Sequence, residues 1–93
     1  MSEADPGARV PTFRRGIKFR FDTVRDAWVV LAPERLFVPD EQAVEVLKLV
    51  DGARTLAAIT EDLCARFAAP PDVVMQDVAA MLDDLAAKGV MTW

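Results

Sequence analysis

Histidine is missing from this 93-residue chain, and cysteine occurs once, at Cys64. That excludes a disulfide framework and leaves no ordinary zinc site, because the usual nitrogen and sulfur ligands are not there. Cys64 follows Leu63 and precedes Phe67 on a stretch with helical periodicity, where a lone cysteine behaves as a small buried hydrophobe; no neighbouring His or Lys stands by to lower its pKa. Only four glycines are present, none in a phosphate-binding loop, and no nucleophile motif or His base occurs. Carboxylates are plentiful, but Asp83 and Asp84 fall opposite the apolar positions of their helix, as solvated residues do. The expectation is a protein that is not an enzyme and uses neither metal nor cofactor.

Long hydrophobic runs are also lacking. None approaches the roughly 18 residues that a membrane span requires. Met1 to Arg15 is polar and has no apolar centre of the secretory kind. A cytoplasmic protein without membrane association is expected. At this length a single small domain buries about 60 to 65% of its unfolded surface, so the core is modest.

Charge is divided along the chain. Between Arg9 and Arg25 six bases (Arg9, Arg14, Arg15, Lys18, Arg20, Arg25) stand against one acid, Asp22, whereas from Leu36 onward ten acids face four bases. The helical part is therefore acidic, and the basic first part is either a solvated surface or a means of steering an acidic partner.

Ile17, Phe19 and Phe21 alternate with Lys18, Arg20 and Asp22, the period of two that marks a half-buried strand. Thr23 to Asp26 read as the hairpin connection. Ala27 to Leu31 is apolar throughout and suits a central strand covered on both faces. Arg35 to Val38, bracketed by Pro33 and Pro39, reads as a short edge strand with unpaired backbone groups. Before these strands, Pro6, Gly7 and Pro11 break any apolar period, so residues 1–15 are read as a flexible tail or linker and 16–93 as the folded domain.

Three helices follow. Asp40 caps the first, with Ala43, Val46, Leu47 and Val50 on one face, and Asp51-Gly52 stops it. Thr55 caps the second, with Leu56, Ile59, Leu63 and Phe67 in a stripe; Pro70-Pro71 separates it from the third, which closes at Lys88-Gly89. Val90 to Trp93 returns as an extended segment. The third helix carries two adjacent stripes, Val74, Val78, Met81, Leu85 and Met75, Ala79, Leu82, Ala86, which together are wider than the roughly 100° of one core contact. Either this helix is central and packs on both others, or one stripe lines an open groove. In the second case an added peptide strand would bond the edge beside Leu36 to Val38 and lay alternate side chains on Met75, Ala79 and Leu82, leaving Val78, Met81 and Leu85 structural. An exposed edge also allows homodimerisation.

The fold expected is α+β, an N-terminal three-stranded antiparallel β-meander followed by three α-helices, similar to a winged helix-turn-helix. That architecture raises nucleic-acid binding. Its recognition helix would present Asp72, Gln76, Asp77, Asp83 and Asp84 to a duplex bearing one negative charge per about 1.7 Å, which argues against it; only a wing of Lys18, Arg20 and Arg25 favours it.

Phe19-Arg-Phe-Asp22, Ala27-Trp-Val-Val-Leu-Ala-Pro-Glu-Arg35, Asp51-Gly52 with Arg54-Thr55 and Ile59, then Asp77-Val78, Leu82, Leu85 and Lys88-Gly89-Val90 follow one another in a known order and spacing. In this the chain resembles the PqqD family of pyrroloquinoline quinone (PQQ) biosynthesis, most specifically from Trp28 to Arg35. It departs at Val38-Pro39-Asp40-Glu41, where that family has a Leu-Asn-Thr type of helix start. The resemblance implies a non-catalytic peptide chaperone that binds the ribosomal precursor peptide PqqA and presents it to the radical S-adenosylmethionine enzyme PqqE. It also implies strand addition between the third strand and third helix, with Arg35, Leu36, Phe37, Val38, Met75, Ala79 and Leu82 as the peptide-binding residues. Some members are fused to a PqqC-like domain, for which residues 1–15 would serve as the linker. The alternatives are a leader-peptide recognition domain of another modified-peptide pathway, such as lasso-peptide synthesis, or a winged-helix nucleic-acid-binding domain.

Overall fold

A computed structural model of the chain describes residues 6–93. Strands β2 (Lys18–Asp22) and β3 (Ala27–Leu31) form the expected hairpin, in register from Lys18 opposite Leu31 to Asp22 opposite Ala27. Its turn is built by Asp22, whose carboxylate accepts the backbone N–H groups of Val24 and Arg25 at 2.9 and 3.2 Å, and by Asp26, which takes a positive φ of 55°. The short β4 (Leu36–Phe37) pairs with β3 on its other side, giving the order β2-β3-β4 with β3 central. Val29 and Val30 point to opposite faces and are 0% and 1% exposed, so the middle of β3 is covered on both sides. The register puts Phe19, Phe21, Trp28, Val30 and Phe37 on one face. There the Phe19 and Trp28 rings stack with centroids 4.8 Å apart.

Helices α1 (Glu41–Leu47), α2 (Leu56–Phe67) and α3 (Pro71–Ala87) follow. The two expected caps are present: Asp40 accepts the N–H of Ala43 and Thr55 that of Ala58. Helix α1 ends before the Asp51-Gly52 stop expected for it. Leu49 and Val50 leave the helix through tight turns, donating to Val46 and Leu47, because both are drawn into the core. Asp51 then accepts the N–H groups of Ala53 and Arg54, and Gly52 supplies a positive φ of 77°. Between α2 and α3 the chain reverses on Ala68, in the left-handed region, and α3 starts with Pro71 at its first position and stops at Gly89, φ 80°. No helix among the described residues is long and apolar enough to cross a membrane.

The domain boundary expected near Gly16 requires correction. Residues 1–5 lie outside the described part, but from Pro6 on the segment read as a tail belongs to the fold. A single 3-10 turn (Pro6–Ala8) packs against α2, the carbonyl of Arg9 accepts the N–H of Leu56, and Pro11 is buried. Strand β1 (Thr12–Phe13) then pairs antiparallel with β5 (Met91–Thr92), a second sheet that the chain's local patterning does not announce. The physical reason is that two-residue strands have no period to detect, while Pro11 and Phe13 are apolar enough to reward burial. Arg9 completes this closure by stacking on Trp93, 3.7 Å from the ring centroid.

The main core gathers Val30, Leu47, Leu56, Ile59, Val78, Leu82, Val90 and Met91 from the sheets and all three helices. Leu82, 0% exposed, lies inside it, so it cannot be part of a groove floor. Truncation there leaves a cavity that close-packed neighbours fill only partly. Leu82→Ala should lower unfolding stability by about 2 to 5 kcal/mol in chemical denaturation; a loss well under 1 kcal/mol would mean that the α3 register is misassigned.

Candidate functional site

Among the described residues, strand β4 has a strand partner on one side only. At the turn before it, Ala32 and Arg35 exchange backbone bonds (2.9 and 3.4 Å), and residues along an antiparallel pair alternate between bonded and non-bonded. Phe37 opposite Val30 is therefore the next bonded pair, while the backbone groups of Leu36 and Val38 point away from β3. Leu36 and Val38 are 38% and 58% exposed. The edge expected between the two prolines is present, and it offers donors and acceptors at Leu36 and Val38.

Two contacts relate the ends of this edge to helix α3. At one end the Arg35 guanidinium donates to the carbonyl of Lys88 at 2.6 Å and sits over the Phe37 ring, 5.2 Å from its centroid. At the other end Pro39 and Trp28 share a cleft with Val74, Asp77 and Val78. Helical spacing puts Val74, Val78, Met81, Leu85 and Lys88 on one side of α3. Val78 is buried; Val74, Met81 and Leu85 are half-buried against the core.

Of the stripe expected to line the groove, Met75 and Ala79 are half-buried against the core, as Val74, Met81 and Leu85 are, and Leu82 is wholly inside it. Arg35, Leu36, Phe37 and Val38 lie together along the edge. Sequence reasoning did not single out the Lys88 carbonyl, Pro39 or Trp28. No local signal distinguishes two equally apolar stripes, whose assignment depends on the contact of Arg35 with a residue 53 positions away.

The family model for coenzyme PQQ synthesis protein D (PqqD) matches residues 27–91. This chain belongs to the PqqD family. The block from Trp28 to Arg35 that carried the resemblance lies within that match, as β3, the turn and the start of the edge. The "PqqA binding protein" of Bradyrhizobium diazoefficiens is 48% identical over 82 residues, 88% of this chain and 80% of that one. The "bifunctional coenzyme PQQ synthesis protein C/D" of Methylorubrum extorquens is 46% identical over 85 residues, 91% of this chain but 23% of that larger protein. Among solved structures, the solution NMR structure of the PqqD truncation of Methylobacterium extorquens PqqCD superposes with a TM-score of 0.80 at 44% identity, covering 97% of this chain and 96% of that one. It is described as a functional and stand-alone recognition element for a ribosomally synthesized and post-translationally modified peptide (RiPP). The crystal structure of PqqD from Xanthomonas campestris gives a TM-score of 0.61 at 34% identity, covering 91% and 94%. PqqD relatives of known structure therefore share the α+β arrangement described above.

The charges do not suit a duplex. Asp72, Gln76, Asp77, Asp83 and Asp84 are all exposed on α3, and on the hairpin Arg25 is paired with Asp22 at 2.9 Å, which removes one of three cations from the wing. The N–H donated by Arg25, then that side-chain bond and the N–H of Val24, hold the Asp22 carboxyl below its ordinary range.

Arg35 is the tie that sets the spacing between edge and helix. Arg35→Ala should cost about 1 kcal/mol, as expected for one lost charge-assisted bond at a wet position, and should speed amide exchange at Gly89 and Val90. Unchanged exchange there would show that α3 is held beside β4 by packing alone.

Proposed function

We propose that this protein is a peptide chaperone of PQQ biosynthesis: it binds the ribosomal precursor peptide PqqA as an added strand on β4 and presents it to the radical S-adenosylmethionine enzyme PqqE. The observation that carries the reading is the outward-facing backbone at Leu36 and Val38, on an edge tied to Lys88 through Arg35 at one end and opening at Pro39 into a cleft lined by Val74 and Val78 at the other. Backbone bonds would hold any extended peptide. Side chains alternating toward α3 would select one. Val74, Met81 and Leu85 replace Met75, Ala79 and Leu82 as the surface they meet, with Phe37 beneath the edge and Arg35 closing its far end. Relatives named for PqqA binding at about half identity, and a structural neighbour described as a recognition element, support the peptide's identity. The C/D relative supports a PqqC-like domain as a partner joined to the same module in some proteins.

The test is a fluorescence-anisotropy titration of labelled Bradyrhizobium PqqA against a scrambled peptide, with and without chelator. Saturable binding of PqqA alone, unchanged by chelator, is expected. Val38→Pro, which removes one outward N–H while sparing the β3 ladder, should weaken binding about tenfold, the equivalent of roughly 1.4 kcal/mol, with the circular dichroism spectrum preserved. Equal affinity for the scrambled peptide would contradict the proposal.

A further inference from the structure

Where β4 ends at Pro39, the groove opens into a cleft of about 790 Å³. The hairpin contributes Phe21 and Trp28 to it, α1 contributes Val46, α2 contributes Leu63 and Phe67, and α3 contributes Val73. Its size is that of a small-molecule site and exceeds what a single side chain fills. Three of its apolar residues are unusually exposed for their type: Phe21 at 43%, Phe67 at 56% and Val73 at 49%. They come from three separate elements and converge on one opening, which scattered surface hydrophobics do not do.

The cleft also has a charge. Four carboxylates line it, Asp26, Glu41, Glu45 and Asp77, against one amine, Lys48. Glu45 is already engaged, by Lys48 at 3.5 Å and by Arg66 at 3.0 Å, and the Arg66 bond chiefly holds its carboxyl below the ordinary range. Lys48 in turn lies over the Trp28 ring, 5.1 Å from its centroid. Asp26, Glu41 and Asp77 have no ion-pair or side-chain hydrogen-bond partner among the described residues. They ring an apolar pocket with uncompensated negative charge, in a protein whose net charge is already −4.

The geometry points to a second subsite of the peptide site: past the residues paired with β4, the precursor places large apolar side chains in this cleft, next to a Lys or Arg that meets Glu41 and Asp77. This rests on the strand-addition reading, because Pro39 both ends the edge and lines the cleft, so a strand running beyond Val38 is delivered into it. Specificity would then reside less in the backbone-bonded segment than in the residues just beyond it, where the apolar anchor and the cation must arrive together.

The experiment compares labelled Bradyrhizobium PqqA on the full-length protein and three variants. Val73→Lys fills part of the opening and reverses its charge at an exposed position. It should weaken binding about tenfold or more, the effect of losing one buried apolar contact, with the thermal transition retained. Glu41→Gln combined with Asp77→Asn should weaken binding at low salt and flatten its salt dependence. PqqA with its Lys and Arg replaced by Gln should bind the parent protein more weakly and the double variant no more weakly than PqqA itself. Val38→Pro runs alongside. If Val38→Pro weakens binding while Val73→Lys and the double variant do not, the cleft is not a subsite and the strand reading stands. If Val73→Lys weakens binding while Val38→Pro does not, the strand reading fails and the cleft alone holds the peptide.

Discussion

The two-residue β4 strand is bonded to β3 on one side and, among the described residues, to no strand on the other, where it is flanked by Pro33 and Pro39. A longer, flatter edge would be open to pairing along its length with any extended chain, its own copies included. Here the prolines confine the outward donors and acceptors to Leu36 and Val38, and Arg35 ties the start of the edge to the carbonyl of Lys88 at the end of α3. On the proposed reading, recognition follows from that confinement, since an added strand would have to match a short run of backbone and the neighbouring side chains together.

Helix α3 is fixed at its C-terminal end by bonds from distant parts of the chain: Arg35 donates to the Lys88 carbonyl, Arg14 donates its backbone N–H to Val90 at 3.0 Å, and Trp93 donates its indole N–H to Asp83 at 3.0 Å. The N-terminal segment from Pro6 to Phe13 acts in the same direction, pairing with β5 and reaching α2 through Arg9 and Leu56. A groove held in its binding geometry before the peptide arrives loses less conformational entropy on association than one ordered by it.

Much of this was legible locally. Alternation from Ile17 to Asp22, the unbroken apolar run Ala27 to Leu31, the caps at Asp40 and Thr55, and Gly89 after Lys88 each produce a signal within a few residues, and each element forms where the signal lies. The edge was legible for the same reason, because proline acts on its own neighbours. What failed depended on contacts between distant residues. The pairing of Thr12 with Thr92 joins the two ends of the chain through strands too short to carry a period. The choice between the Met75 and Val74 stripes of α3 turns on which of two equally apolar faces meets the sheet, and Leu82 proved to belong to the core. Helix α1 stopped early because Leu49 and Val50 are drawn inward, an effect of packing that outweighed the stop signal at Asp51-Gly52.

Strand addition differs from every other mode of capture on this surface in what it does to two particular amides. Hydrogen exchange measured residue by residue, with and without saturating PqqA, tests that difference directly. The N–H groups of Leu36 and Val38, open to solvent in the free protein, should become protected on binding, while Phe37, already bonded to β3, should change little. Protection confined instead to Lys18 to Asp22 would make β2 the docking edge, and would contradict the account.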